Sequence, residues 1–400
     1  ARERVPDEVA AAYGINHQFG TDYIIPAPFD PRLMEVVSSA VAKAAMDSGV
    51  ARAPIADFDA YRQALKARLN PTSAALTNIY NLAKANPKRM VFAEAEEEIA
   101  LRAAIQFRDF GYGTPILVGR TEKVLEKLVE LGVDDPDSFI IENSATSEHI
   151  EPMVAYLYRR MQRRGQTLRD VRRMVNQERN VFAALLVALG HGDGLITGLT
   201  RTFSQSAREI NRVLDPKPSP RPGAVPFGVH MLIGKNHTTF LADTTITERP
   251  TAEQLAHIAR ETAAVARRMG HEPRVAFLSY STFGNPPGQW LGAIREAVAM
   301  LDAEAPDFEY EGEMAPDAAL NPKVMALYPF SRLSAPANVL VMPGLQSANL
   351  SAKLLRELAG NATIGPMLIG MEKPVQIAPM TAIAPDVLTL AVLASAGVVG

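Results

Sequence analysis

Arginines stand at positions 159, 160, 163, 164, 169, 172, 173 and 179 of the stretch YRRMQRRGQTLRDVRRMVNQER, in a chain whose charge is otherwise balanced. A guanidinium is a planar fork of donors that keeps its charge, so a cluster of them suits two kinds of chemistry. One is a solvated helix face or a set of ion pairs with neighbouring carboxylates. The other is capture of a polyanion, because paired N–H groups match the oxygens of a phosphate or pyrophosphate. The spacing leaves both open, for different arginines of the cluster.

Other chemistry-bearing patterns fail on their context. Gly111 and Gly113 in GYGTPILVG follow a helical pattern and precede an apolar run, the reverse of the order a dinucleotide loop needs. Gly234-Lys235 is followed by Asn236 and lacks the upstream glycine of a phosphate-cradling loop. Neither GxSxG nor HExxH occurs, and the seven histidines do not pair at metal-ligand spacings. His230, alone in the apolar run FGVHMLIG, is the kind of histidine that usually sits satisfied in a core. No cysteine is present, which removes disulfides, thiolate nucleophiles, thiolate metal sites and iron–sulfur clusters together and fits a reducing compartment.

The elements that must position any site follow from composition and periodicity. A chain of 400 residues with 47% hydrophobic and 21% charged residues is expected to form two or three globular domains. Its 41 basic and 44 acidic side chains leave a formal charge of -3, with no overall attraction to nucleic acid or an anionic membrane. Anion binding must therefore be local. The opening ARERVPDEVAAAYG has no apolar run of the kind a signal peptide carries, so a cytoplasmic protein is expected. The closing VLTLAVLASAGVVG is shorter than the roughly 20 residues that span a bilayer and reads as a buried helix.

Residues 1–70 differ in texture from the rest. YIIPAPFDPRL is rich in proline and apolar residues, as in a tail wrapping over another body, and SSAVAKAAMDSG predicts a short helix ended by Gly49. From Arg89 onward, RMVFAE, PILVG, SFIIE, GDGLITG, FGVHMLIG, TTFLADT, PRVAFLS, NVLVMP and TIGPMLIG predict strands separated by amphipathic helices. That alternation indicates a mostly parallel sheet covered on both faces. Thr251 and Gln254 have capping-box spacing, with Leu255, Ile258, Ala259 and Thr262 on one helical face. DPKPSPRPGAVP, residues 215–226, cannot continue a helix and is the candidate interdomain connection.

Taken in order, KRMVFAEAEEE, GDGLITG, TRTFSQSAR, FLADTTITERP, PRVAFLSYSTFG, EGEMAPDAALNPKV, ANVLVMPGLQSANLSAKLL and IGPMLIGMEKPVQ resemble the phosphate acetyltransferase (phosphotransacetylase) family, from about residue 87 to the end. The preceding VPDEVAAAYG, YIIPAPFDPRL and AVAKAAMDSGVARAPI resemble the C-terminal end of a bacterial malic enzyme domain. Together they point to the hybrid NADP-type malic enzymes. The resemblance implies an α/β fold of two lobes, three-layer α/β/α and isocitrate/isopropylmalate dehydrogenase-like, with mostly parallel sheets and a ligand cleft between lobes. The implied boundaries are 1–70 for the malic enzyme tail, 76–222 plus 376–400 for the first lobe, and 223–375 for the second.

The family's reaction needs an aspartate base for the CoA thiol and a serine with arginines for the transition state. Its LSRG motif falls on Ala378-Pro379-Met380-Thr381, so serine becomes Pro379 and arginine becomes Met380, neither able to donate a side-chain hydrogen bond or hold charge. A further family arginine falls on Met161. The phosphate-side arginine matches Arg208 and the base matches Asp386. Loss of one transition-state donor typically costs about 3–4 kcal/mol, so little acyl transfer is expected.

Ligand binding can outlast catalysis. Arg208, Thr202 and Ser204 in TRTFSQSAR, Ser279, Ser281 and Thr282 in SYST, Asn349, Lys353 and Asp386, with Arg159 and Arg163, are the implied acetyl-CoA contacts. The competing reading is that the hydroxyls hold a strand-to-helix turn and that Asn349 and Lys353 lie on a helix surface. Where the family has a lysine after SYST, this chain has Phe283. The expected function is a non-catalytic regulatory and oligomerisation region of a malic enzyme with acetyl-CoA as allosteric effector. The alternatives are an active phosphate acetyltransferase and a purely structural oligomerisation domain. NADP, a divalent metal and malate decarboxylation belong to the other half of such an enzyme. The expected partners are that catalytic domain in the same chain and further copies of the chain, with no nucleic acid and no membrane.

Overall fold

A computed structural model describes residues 32–59, 61–62, 65, 71–234, 237–359 and 362–399. Most of the stretch expected to wrap over another body lies outside them. The chain divides into two compact units, residues 1–77 and 78–400. In the first, the Ala-rich helix Arg32–Asp47 ends as predicted: Gly49 adopts φ 74 and its amide donates to the Met46 carbonyl at 3.1 Å. That left-handed conformation carries no Cβ penalty in glycine.

The second unit contains eleven strands among its described residues: β1 Lys88–Phe92, β2 Gly113–Val118, β3 Ile140–Glu142, β4 Gly194–Thr197, β5 Phe227–Ile233, β6 Thr238–Ala242, β7 Arg274–Leu278, β8 Glu309–Met314, β9 Val339–Val341, β10 Ala362–Ile369 and β11 Val375–Ile377. They form two sheets, ordered β11-β4-β1-β2-β3 and β10-β5-β6-β9-β7-β8. The first is parallel throughout, while the second is parallel from β6 to β8 and antiparallel at β10-β5-β6.

Every predicted apolar run became a strand. β8 and β11 were not predicted, for different reasons. β8 reads EYEGEM, whose glutamates argue against burial, yet Glu311 and Glu313 are buried. Arg332 and Arg295 compensate them. β11 is three residues long and is defined by its pairing with β4 rather than by local pattern.

Both sheets are covered on both faces, which explains the unbroken apolar runs. One face of the first sheet packs against helices Ile150–Met161, Leu168–Gln177, Arg179–Ala188 and Phe203–Ile210. The C-terminal helix Ala384–Ser395 packs against helix Glu98–Asp109 and β4, with Phe92, Ile196, Ala100 and Val387 meeting there. In the second sheet Leu232, Leu241, Leu278 and Leu340 meet Ala318, Ala348 and Ala352 from helices Pro316–Leu320 and Leu345–Ala359. Helix Ala252–Arg268 begins at the predicted capping box, where the Thr251 hydroxyl accepts from the Gln254 amide and the Thr251 amide donates to Gln254 Oε1 at 2.9 Å. The proline-rich residues 215–226 carry the chain from the first sheet to the second, and residues 370–374 bring it back.

Candidate functional site

Three motif loops are wrapped around buried carboxylates. Glu94, 2% exposed, follows β1 and accepts from the amides of Gly198 (2.9 Å), Leu199 (2.6 Å) and Thr200 (3.0 Å) and from the Thr200 hydroxyl. Asp243 follows β6 and accepts from the amides of Gly228, Thr245, Ile246 and Thr247 at 2.7–3.2 Å. Glu313, in β8, accepts from the Ser281 hydroxyl, the Gly284 amide and the Arg295 guanidinium. The bond from Arg295 holds the Glu313 carboxyl below the usual carboxylate range against the opposing effect of burial. A charge taken out of water needs this density of donors, and the donors in turn fix the loop.

The loop after β4 meets the segment after β11. Gly198 has φ 119, and a Cβ placed on it would lie 2.1 Å from the Ala378 carbonyl oxygen, while the Ala378 amide donates to Thr197 at 2.7 Å. Only glycine permits that approach. Residues 379–382 therefore leave the C-terminal end of the first sheet and form one wall of a pocket of about 350 Å³. Its other walls are Arg356 and Glu357 of helix Leu345–Ala359, Thr363 and Gly365 of β10, and Asp386 of helix Ala384–Ser395.

The pocket brings Pro379 and Asp386 together, beside a helix that also carries Lys353 and Asn349. The Pro379 carbonyl accepts from the Ala382 amide at 2.9 Å, and Met380 stands exposed. Asp386 Oδ2 accepts the Ile383 amide at 3.0 Å, so this carboxylate caps its own helix. Arg356 donates through Nε and Nη2 to Glu357 at 3.1 and 2.9 Å. Among the described residues the lining thus includes one guanidinium and two carboxyl groups.

The remaining candidates do not line this pocket. Thr202 caps helix Phe203–Ile210 by accepting the Gln205 amide at 3.4 Å; Ser204 lies 3.4 Å from the Thr202 hydroxyl, and Arg208 Nε donates to the Ser204 carbonyl at 3.2 Å. Ser279 accepts the Ser281 amide (3.3 Å), Ser281 donates to Glu313 (3.2 Å), and Thr282 accepts the Ala315 amide (2.9 Å). The hydroxyls of Ser279, Ser281 and Thr282 are engaged in building the turn, and Phe283 leaves it at φ 50, its ring tilted against Tyr328 and edge-on to Phe330. Asn349 donates to the Thr244 carbonyl at 3.1 Å, and Lys353 is exposed. Met161 lies in the core among Leu157, Val171 and Val213.

The arginine cluster divides. Arg160 pairs with Asp215, Arg172 with Glu151, Arg173 with Asp170 and Arg179 with Glu96. Arg159, Arg163, Arg164 and Arg169 are exposed and form no ion pair among the described residues. No group of three or more histidine, aspartate or glutamate side chains among the described residues is placed to hold a metal ion. Sequence reasoning missed Arg356 and Glu357, although they follow Lys353 at the helical spacings of three and four that share a face. It also missed Glu94, Asp243 and Glu313, which nothing in the sequence marks as buried.

Residues 74–395 match the phosphate acetyl/butaryl transferase family. The chain is 48% identical over 397 residues to an NADP-dependent malic enzyme of Rhizobium meliloti, covering 99% of this chain and 52% of that protein. It thus spans about half the length of this relative. It is 32% identical over 308 residues to a phosphate acetyltransferase of Clostridium acetobutylicum, covering 75% of this chain and 91% of that one. Among solved structures, a phosphotransacetylase from Streptococcus pyogenes superposes with TM-score 0.74 at 30% identity, over 82% of this chain and 98% of the other.

Proposed function

Because the chain belongs to the phosphate acetyl/butaryl transferase family, we propose that it binds acetyl-CoA as a regulatory ligand, within a longer malic enzyme, without transferring the acetyl group. The observation that carries this reading is the lining of the pocket at Pro379. Acyl transfer to phosphate requires a hydroxyl and positive charge where the tetrahedral oxyanion and the phosphate meet. Proline and methionine at 379–380 supply neither. The guanidinium in the lining, Arg356, already serves Glu357, and Asp386 adds a second carboxylate. A phosphate dianion meets net repulsion there, whereas the thioester group of acetyl-CoA is uncharged and its phosphates would need cations outside this lining.

The relatives matched along nearly the whole chain are malic enzymes, which supports a malic enzyme as parent. NADP and the divalent metal would be held by the half that this sequence does not include. Regulation then means a coupling free energy between the acetyl-CoA site and that half, typically about 1–3 kcal/mol. Self-association of the chain is part of the same reading.

Two measurements on the 400-residue chain test it. Calorimetric titration with acetyl-CoA is expected to give saturable heat and a raised melting temperature. Incubation of acetyl-CoA with phosphate is expected to give no acetyl phosphate above the uncatalysed background. Turnover would make the chain a working phosphate acetyltransferase, and no heat or thermal shift at millimolar acetyl-CoA would leave a structural scaffold.

A further inference from the structure

Among the described residues, the Thr389 hydroxyl joins a wall of the pocket to a helix that does not line it. Thr389 Oγ1 lies 2.8 Å from the Pro385 carbonyl, one turn earlier in helix Ala384–Ser395, and 3.1 Å from the Tyr80 hydroxyl. A carbonyl oxygen only accepts, so the single proton of Thr389 goes to Pro385 and Tyr80 is the donor to Thr389. Tyr80 belongs to helix Pro71–Ala85, the last helix before β1. Packing aims its hydroxyl. Ile79 and Ala83, within one turn of Tyr80 on the same side of the helix, are buried. The Tyr80 ring lies 5.5 Å from that of Tyr112, which in turn lies 5.9 Å from Phe107 of helix Glu98–Asp109. Lys84 Nζ stands 5.5 Å from the centre of the Tyr112 ring.

Occupancy of the pocket reaches this bond through Thr389. Its two bonds leave Oγ1 one acceptor lone pair, which suits an amide N–H such as those along the pantetheine arm of acetyl-CoA. A ligand seated against Thr389 holds that side chain in one rotamer, and an acceptor held in place is a better partner for a hydroxyl already fixed by packing. Part of the ordering that the Tyr80 bond requires is then already done, which is positive coupling without a large movement. We propose that the Tyr80–Thr389 hydrogen bond couples the pocket to helix Pro71–Ala85, so that acetyl-CoA in the pocket steadies the helix through which the preceding chain is joined to these sheets. Tyr80 is a positioning residue: it touches Thr389 and not the ligand. This rests on the acetyl-CoA reading and names the residue at which regulation leaves the site, along the chain toward the malic enzyme half of that reading.

The test is peptide-resolved hydrogen–deuterium exchange over residues 78–87 of the 400-residue chain, with and without saturating acetyl-CoA, beside calorimetric titration of the same samples. In the unmodified chain acetyl-CoA is expected to slow exchange there about fivefold or more, the low end of an ordinary coupling. Tyr80→Phe keeps the ring and removes only the donor. It is expected to raise exchange in the free chain, as loss of any structural contact would, and also to cut the acetyl-CoA-dependent slowing to about twofold or less while the heat of binding remains. The second effect separates coupling from packing. Thr389→Val removes the acceptor instead and, with acetyl-CoA raised to saturation, is expected to give the same loss. The double variant is expected to lose no more than either single change, since all three lack the same bond. Tyr80→Phe that retains the full slowing would overturn the proposal, as would losses that add in the double variant. Heat without slowing in the unmodified chain would also overturn it and leave the acetyl-CoA reading intact, whereas absence of heat would remove that reading and the proposal with it.

Discussion

His230 shows how one side chain registers its surroundings. Its Nδ1 lies 2.8 Å from the Thr244 hydroxyl, and burial, followed by the nearby charges of Arg356 and Lys353, pushes its pKa down to about 4. The folded state therefore holds the neutral imidazole, whereas the unfolded chain takes up a proton near pH 6.5. Stability from this residue is present in full above that pH and is lost as pH falls through the window down to about 4. At about 1.4 kcal/mol per pKa unit the loss is at most about 3 kcal/mol. Denaturant midpoints measured from pH 7 to 4.5 should fall more steeply for the unmodified chain than for His230→Gln. Comparison with the variant is needed because burial also lowers His257, His271 and His191. Parallel slopes would show that His230 titrates as it does in water. The sequence identified His230 as a core histidine from its apolar run, but the cationic helix above it is a tertiary fact.

At the scale of elements, local pattern was a good guide wherever burial and periodicity agreed. The capping box at Thr251 and the leucine–isoleucine face behind it were legible because they need only residues within about one or two helical turns of each other. Thr251→Ala is expected to cost about 1 kcal/mol in urea unfolding. The loops were legible only as motifs. GLTRTFS, DTTITERP and SYSTFG could be singled out, yet the physical reason for their conformations is a buried carboxylate, from a neighbouring strand for the first and third and the motif's own Asp243 for the second. Glu94→Gln would turn an amide NH₂ toward the loop's donors. A loss of roughly 2–4 kcal/mol is expected in the same assay, since buried donors lose a charged acceptor. A shift below about 0.5 kcal/mol would mean that Glu94 does not hold the loop. The hydroxyls of SYST were read as ligand contacts or turn builders, and the bonds to Glu313 and Ala315 favour the turn.

The two sheets are joined by two chain crossings that run against each other. The Lys217 amide donates to Gly370 at 2.9 Å and the Glu372 amide to Asp215 at 3.1 Å. Arg160 reaches in from helix Ile150–Met161 with a two-pronged bond to Asp215 at 2.8 and 2.6 Å. The pair is partly exposed, so its contribution to global stability should be below about 1 kcal/mol. Asp215→Ala is accordingly expected to shift the urea midpoint little but to speed amide exchange at Lys217 and Glu372 by an order of magnitude or more. Unchanged exchange there would show that the arginine does not brace the crossings. In the cluster of eight arginines, the sequence offered ion pairing and polyanion capture, and it could not assign Arg160 to the first because Asp215 lies 55 residues away.

What the sequence by itself determined was the order of every strand except β8 and β11, the capping of the helix after Pro250, the family, and the presence of proline and methionine at 379–380. Those depend on residue type and on periodicities that close within a few residues. Only the tertiary structure decided which carboxylates are buried, which arginines are spent on partners, and that Arg356 and Glu357 share a pocket with Pro379. A charge's neighbours are chosen by folding: Glu94 and the Thr200 it holds are 106 residues apart, and no local pattern encodes that approach.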